Sequence, residues 1–63
     1  MKRIALIRHI EAHGAIFVRE GGEHTVYRNP QTNRSTTVPR HNEINDITAA
    51  RICKVLGAPK PYI

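Results

Sequence analysis

The chain is 63 residues long and carries one cysteine, with 10 Lys and Arg against 5 Asp and Glu for a formal net charge of +5. A chain this short buries only about 60% of the surface its unfolded form exposes, which leaves no room for a second domain. The lone cysteine excludes an internal disulfide, and no four-ligand cysteine or histidine spacing offers a structural zinc instead.

The basic excess is spread along the chain rather than gathered in a tail, so a folded basic surface is expected. Such a surface most often meets nucleic acid, a merely solvated charged face being the plain alternative. Met1-Lys2-Arg3 has the charge of a secretory n-region. The apolar run behind it, however, is interrupted by Arg8 and His9 and no small-residue cleavage pattern follows, so this segment is expected to belong to the fold. No stretch approaches the roughly 20 apolar residues of a membrane span. A soluble, cytoplasmic, reduced protein is expected.

Over residues 2–13, Leu6, Ile7 and Ile10 share one helical face, Ile4 flanks it, and Arg8 and Glu11 lie away from its centre. Gly14 stands where a left-handed residue closes a helix, and a cationic His13 in the last turn suits the helix dipole. Residues 15–20, with Ile16, Phe17 and Val18 between glycines, read as a strand. The Gly21-Gly22 turn leads to a second strand over residues 24–28, which predicts a hairpin. Asn29-Pro30-Gln31-Thr32-Asn33 is turn chemistry, and a third strand over residues 34–38 ends at Pro39, which has no amide hydrogen for the ladder.

After the polar Arg40-His41-Asn42-Glu43, Asn45 or Asp46 offers an N-cap, and Ala49, Ile52, Cys53 and Leu56 recur at helical spacing up to Gly57, with Pro59 beyond. Residues 58–63 read as a short tail. The order helix, three strands, helix predicts an α+β two-layer sandwich within one domain over residues 1–63. Its sheet is an antiparallel meander with both helices on one face, the order used by double-stranded RNA-binding domains.

Four segments then stand out together. Gly21-Gly22-Glu23-His24 after a strand, Tyr27-Arg28-Asn29-Pro30, Thr37-Val38-Pro39-Arg40-His41 and the closing Ile52-Cys53-Lys54-Val55-Leu56-Gly57 resemble the HicA toxin family of bacterial toxin–antitoxin systems over nearly the whole chain. No one of these is specific alone, but their order at this length is distinctive. The resemblance implies the toxin of a type II system, a small endoribonuclease with a double-stranded RNA-binding-like fold that cuts mRNA with one histidine on the strand after the glycine turn. It also implies a HicB antitoxin that holds the toxin inactive. By position the catalytic histidine falls on His24 and the turn glycine on Gly21 or Gly22. Glu23 departs from the family, which often has a small or neutral polar residue there; a carboxylate would either stabilise protonated His24 or repel phosphate.

RNA carries its own nucleophile in the ribose 2′-hydroxyl, so one titrating side chain can perform part of the cleavage chemistry. Histidine suits this because its unperturbed pKa of about 6.5 leaves both proton states accessible near neutrality. His24 is therefore expected to act as general base or general acid, the plain alternative being an ordinary exposed strand histidine. Arg19 and Arg28 on the flanking strands, and Arg40 with His41 after the third, are the expected RNA-binding residues, each equally readable as a solvated rim charge. Tyr27 reads as sheet packing ahead of base stacking.

His9 and His13 stand four apart with Glu11 between them, but Glu11 projects elsewhere and no third ligand is evident, so no metal and no cofactor is expected. Cys53 reads as a small core residue. The competing function is a non-catalytic module of the same fold that grips RNA or docks a protein partner. Under the toxin reading the partners are mRNA and a HicB-like antitoxin that covers the histidine and the basic rim. Exposed strand edges would also permit a homodimer, and no membrane partner is expected.

Overall fold

The apolar spacing of the first segment forms helix α1 (Arg3–Ala12), and Leu6, Ile7 and Ile10 are its buried face. In the computed structural model, which describes residues 1–61, β1 (Ile16–Gly21), β2 (His24–Asn29), β3 (Arg34–Pro39) and α2 (Asp46–Leu56) follow. The three strands form one antiparallel sheet in the order β1-β2-β3. This is the α+β arrangement, α-β-β-β-α, that the sequence predicts. The observed strand bounds differ from the expected ones by a residue or so. Of the tail expected over residues 58–63, Tyr62 and Ile63 lie outside the described residues.

The helix ends follow their local chemistry. Lys2 places no side chain over the start of α1; instead the Arg3 amide donates to the Asn42 carbonyl at 2.8 Å, which satisfies one of the donors a helix N-terminus leaves open. At α2 the Asn45 side chain accepts from the Ile47 amide at 2.7 Å. Gly57 closes that helix with φ +76°, and the Ala58 amide reaches back to the Cys53 carbonyl at 2.8 Å. The segment after α2 is thus pinned, with Ala58 packed against the core and the Pro59 carbonyl accepting from His9 Nε2 at 2.8 Å.

Alternation along β2 sorts the sheet into two faces. Thr25, Tyr27 and Asn29 are buried, whereas His24 is exposed and Val26 and Arg28 are half-buried. One cluster unites Tyr27 and Val38 with Leu6, Ile7 and Ile10 of α1 and with Ala49, Ile52, Cys53 and Leu56 of α2. The buried polar groups on this side are satisfied. Asn29 donates from Nδ2 to the Leu56 carbonyl at 2.7 Å and accepts from the Gln31 amide at 2.9 Å, tying the end of α2 to the β2–β3 turn. Pro39, expected just beyond β3, is its last residue; β3 lies at the sheet edge, where a missing amide hydrogen is tolerated.

Candidate functional site

The hairpin corner is built from a two-residue connection. Gly21 of β1 pairs with His24 of β2, so Gly22 and Glu23 alone make the turn. Gly22 has φ +51°, a conformation that costs glycine nothing and a side-chain-bearing residue a good deal. Gly21, expected to share the turn, instead ends β1. Its missing side chain leaves room for Arg19, whose Nη1 would lie 3.2 Å from a Cβ placed there.

A β-bulge decides which side chains meet at this corner. Register shifts between Phe17 and Arg19, so Val18 has no partner of its own on β2. Before the bulge Ile16 faces Arg28 and Phe17 faces Tyr27; after it Arg19 faces Val26, Glu20 faces Thr25 and Gly21 faces His24. Regular alternation would put Arg19 on the buried side. The extra residue turns it onto the face of His24 and sends Glu20 to the face of Thr25. On the other flank of β2, Pro39 pairs with His24 and Thr37 with Val26.

Glu20 then anchors a network beneath the corner. Arg3 donates from Nη2 to Thr25 Oγ1 at 2.6 Å and from Nε to the Pro39 carbonyl at 2.9 Å. The Thr25 hydroxyl donates in turn to the Glu20 carboxylate at 3.1 and 3.2 Å. Arg40 closes the set through an ion pair from Nη1 to Glu20 Oε2 at 3.0 Å. One helix residue therefore ties together the ends of all three strands around the His24 backbone. Sequence reasoning did not find Arg3, Thr25 or Glu20 as a group; the available signal was a threonine at an inward-facing position of β2, where a buried hydroxyl requires partners.

The expected site residues separate by position. His24 is exposed, and its imidazole has no side-chain partner among the described residues, so it is open to a ligand and to water. Arg19 lies on the same face with its guanidinium toward Gly21, the cross-strand partner of His24. Arg28 shares that face but stands four residues along β2, about 13 Å at the usual rise per strand residue, and its guanidinium bonds the Asn33 side chain in the β2–β3 turn. It is not brought to the histidine. The ladder continues one step past Pro39, the Arg40 amide donating to the Glu23 carbonyl at 3.2 Å. A cleft of about 240 Å³ opens there, lined by Gly22, Glu23, Arg40 and His41.

Other candidates have structural occupations. Tyr27 is buried, donates its hydroxyl to Glu11 Oε2 at 3.2 Å and tilts against Phe17 at a ring separation of 6.1 Å. Burial first, and then the neighbouring Glu11 carboxylate, pushes its phenol above the ordinary tyrosine value. Burial likewise raises the Cys53 thiol, so it stays protonated and unreactive near neutrality. His9 lies 4.8 Å from the His13 ring, and among the described residues no three His, Cys, Asp or Glu side chains converge as a metal site would need. No helix among those residues is long and apolar enough to cross a membrane.

A family model described as the HicA toxin of bacterial toxin-antitoxin systems matches residues 5–58. No curated protein and no solved structure matches the chain.

Proposed function

The chain belongs to the HicA toxin family, which makes it the toxin of a toxin–antitoxin pair with a cognate antitoxin as partner, and on that footing we propose that it is a metal-independent endoribonuclease that cuts mRNA with His24. The observation that carries this reading is an unpartnered imidazole at an exposed sheet corner, with a guanidinium folded over the adjacent glycine.

The chemistry follows from what RNA brings. His24 as general base takes the proton of the ribose 2′-hydroxyl, the 2′ oxygen bonds to phosphorus, and the bond from phosphorus to the 5′ oxygen breaks. The leaving oxygen gains a proton, from water or from the protonated imidazole, and the products are a 2′,3′-cyclic phosphate and a 5′-hydroxyl end. Charge that builds on the phosphate oxygens is met by the Arg19 guanidinium. Arg40 and His41 grip the backbone beyond the corner, and Arg28 holds a phosphate farther along the face. The antitoxin silences the enzyme by covering His24 and this basic rim. The exposed edge strand β1, with Ile16, Phe17 and Val18 about half exposed, supports pairing of two copies. An enzyme that cuts mRNA works in the cytoplasm.

Purified toxin, prepared with its antitoxin and then separated, is incubated with unstructured RNA in excess chelator. Cleavage that persists under chelation and disappears in His24→Ala supports the reading. Binding without cleavage by the wild type removes it in favour of a non-catalytic RNA-binding module.

A further inference from the structure

Glu23 has no task in the cleavage chemistry. It completes the turn beside His24 and lines the 240 Å³ cleft with Gly22, Arg40 and His41. Arg40 carries the opposite charge in the same cleft, yet its guanidinium is drawn to Glu20 at 3.0 Å. Glu23 is exposed and has no ion-pair or side-chain hydrogen-bond partner among the described residues. A free carboxylate at this corner repels the RNA backbone. Its productive partner in bound RNA is therefore a group that only donates hydrogen bonds.

One RNA base edge meets that requirement. Guanine presents N1–H and an amino hydrogen on N2 side by side, two parallel donors that match the two oxygens of a carboxylate. Adenine and cytosine each set an amino donor beside a ring-nitrogen acceptor, and uracil flanks its N3–H with two carbonyls, so each would press an acceptor against a carboxylate oxygen. In single-stranded RNA this edge is free to be read. The cleft leaves room for a base as well. The Arg40 amide holds the Glu23 carbonyl at 3.2 Å, nothing lies within 4 Å of a Cβ placed on Gly22, and the exposed His41 offers a ring on the rim.

We propose that this cleft is a base-reading subsite for guanine, with Glu23 as the specificity-determining residue for the nucleotide beside the scissile phosphate. It rests on the nuclease reading for the place of the cut, whereas selection of the base needs no cleavage. Isotope-labelled His24→Ala protein is titrated with the four 3′-mononucleotides and with inosine 3′-monophosphate, following the amides of Gly22, Glu23 and His41. In parallel, wild-type cleavage sites are mapped on unstructured RNA.

The guanine nucleotide is expected to saturate the shifts at about tenfold lower concentration than the other three, as a good bidentate contact implies. Inosine, lacking the 2-amino group, falls between. Adding Glu23→Gln, which keeps the side-chain shape but replaces one acceptor with a donor, erases the difference, and wild-type cuts lie next to guanine. Equal shifts with all four nucleotides, or a guanine preference unchanged by Glu23→Gln, overturns the subsite whether or not RNA is cut. Guanine selection without wild-type cleavage supports the subsite and removes the nuclease reading. Cleavage without guanine selection does the reverse.

Discussion

At the hairpin corner the two faces of β2 treat polar side chains in opposite ways. On the inward face Thr25, Tyr27 and Asn29 are buried, and each has its hydrogen-bonding groups engaged, by Arg3 and Glu20, by Glu11, and by the Leu56 carbonyl and Gln31 amide respectively. On the outward face His24 stands exposed without a side-chain partner. Inside, an unmet polar atom costs on the order of 1–3 kcal/mol, so the fold completes every contact; outside, water fills the vacancy at little cost and a ligand can replace it. The difference teaches where to look for function in so small a protein: at the polar groups the fold has left unmatched.

Substitutions on the two faces should therefore separate activity from stability. The largest effect is expected from His24→Ala, which should lower cleavage by roughly 10²- to 10⁴-fold, the usual worth of a general acid or base. Its unfolding free energy should change by no more than about 0.5 kcal/mol, as for an exposed residue. A comparable loss of stability would erase the contrast between the faces. Next, Leu6→Ala in the helix that backs the inward face should cost about 2–5 kcal/mol in denaturant unfolding while the folded fraction keeps its activity.

Asn29→Ala comes third. It strands the Leu56 carbonyl and the Gln31 amide, and about 1–3 kcal/mol of lost stability is expected with no change in cleavage per folded molecule. The smallest effect is one of pH. Because the folded chain holds the Tyr27 proton more tightly than the unfolded chain does, its stabilising contribution is intact below pH 10 and is lost as pH rises through the higher folded value. Urea midpoints should fall more steeply above pH 10 in the wild type than in Tyr27→Phe. Equal slopes would show that the inward-facing hydroxyl is no better held than one in water.

Much of this could be read from the residues, because helix periodicity, caps and turn chemistry are local. The apolar spacing of Leu6, Ile7 and Ile10 and of Ala49, Ile52, Cys53 and Leu56 marked both helices, and Asn45 and Gly57 marked the ends of the second. His24 at a hairpin corner was legible for the same reason. What was not legible depended on pairing across the chain. The grouping of Arg3 with Thr25, Glu20 and Arg40 joins residues up to 37 positions apart, and nothing in the local pattern of any one of them names its partners. Arg19 and Arg28 looked equivalent on flanking strands; register placed one beside His24 and tied the other to Asn33.

Val18 holds the parity of the hairpin. Left without a partner on β2, it swaps which of Arg19 and Glu20 looks outward and which looks inward, although it lies outside the Arg3 network itself. Were Val18 instead to pair with Val26, the ladder would run unbroken, but Arg19 would then face Thr25 and Glu20 would face His24. The price is an inverted charge pattern, with an acid delivered to the open corner and an arginine driven beneath the sheet. A more regular ladder would thus make a worse protein.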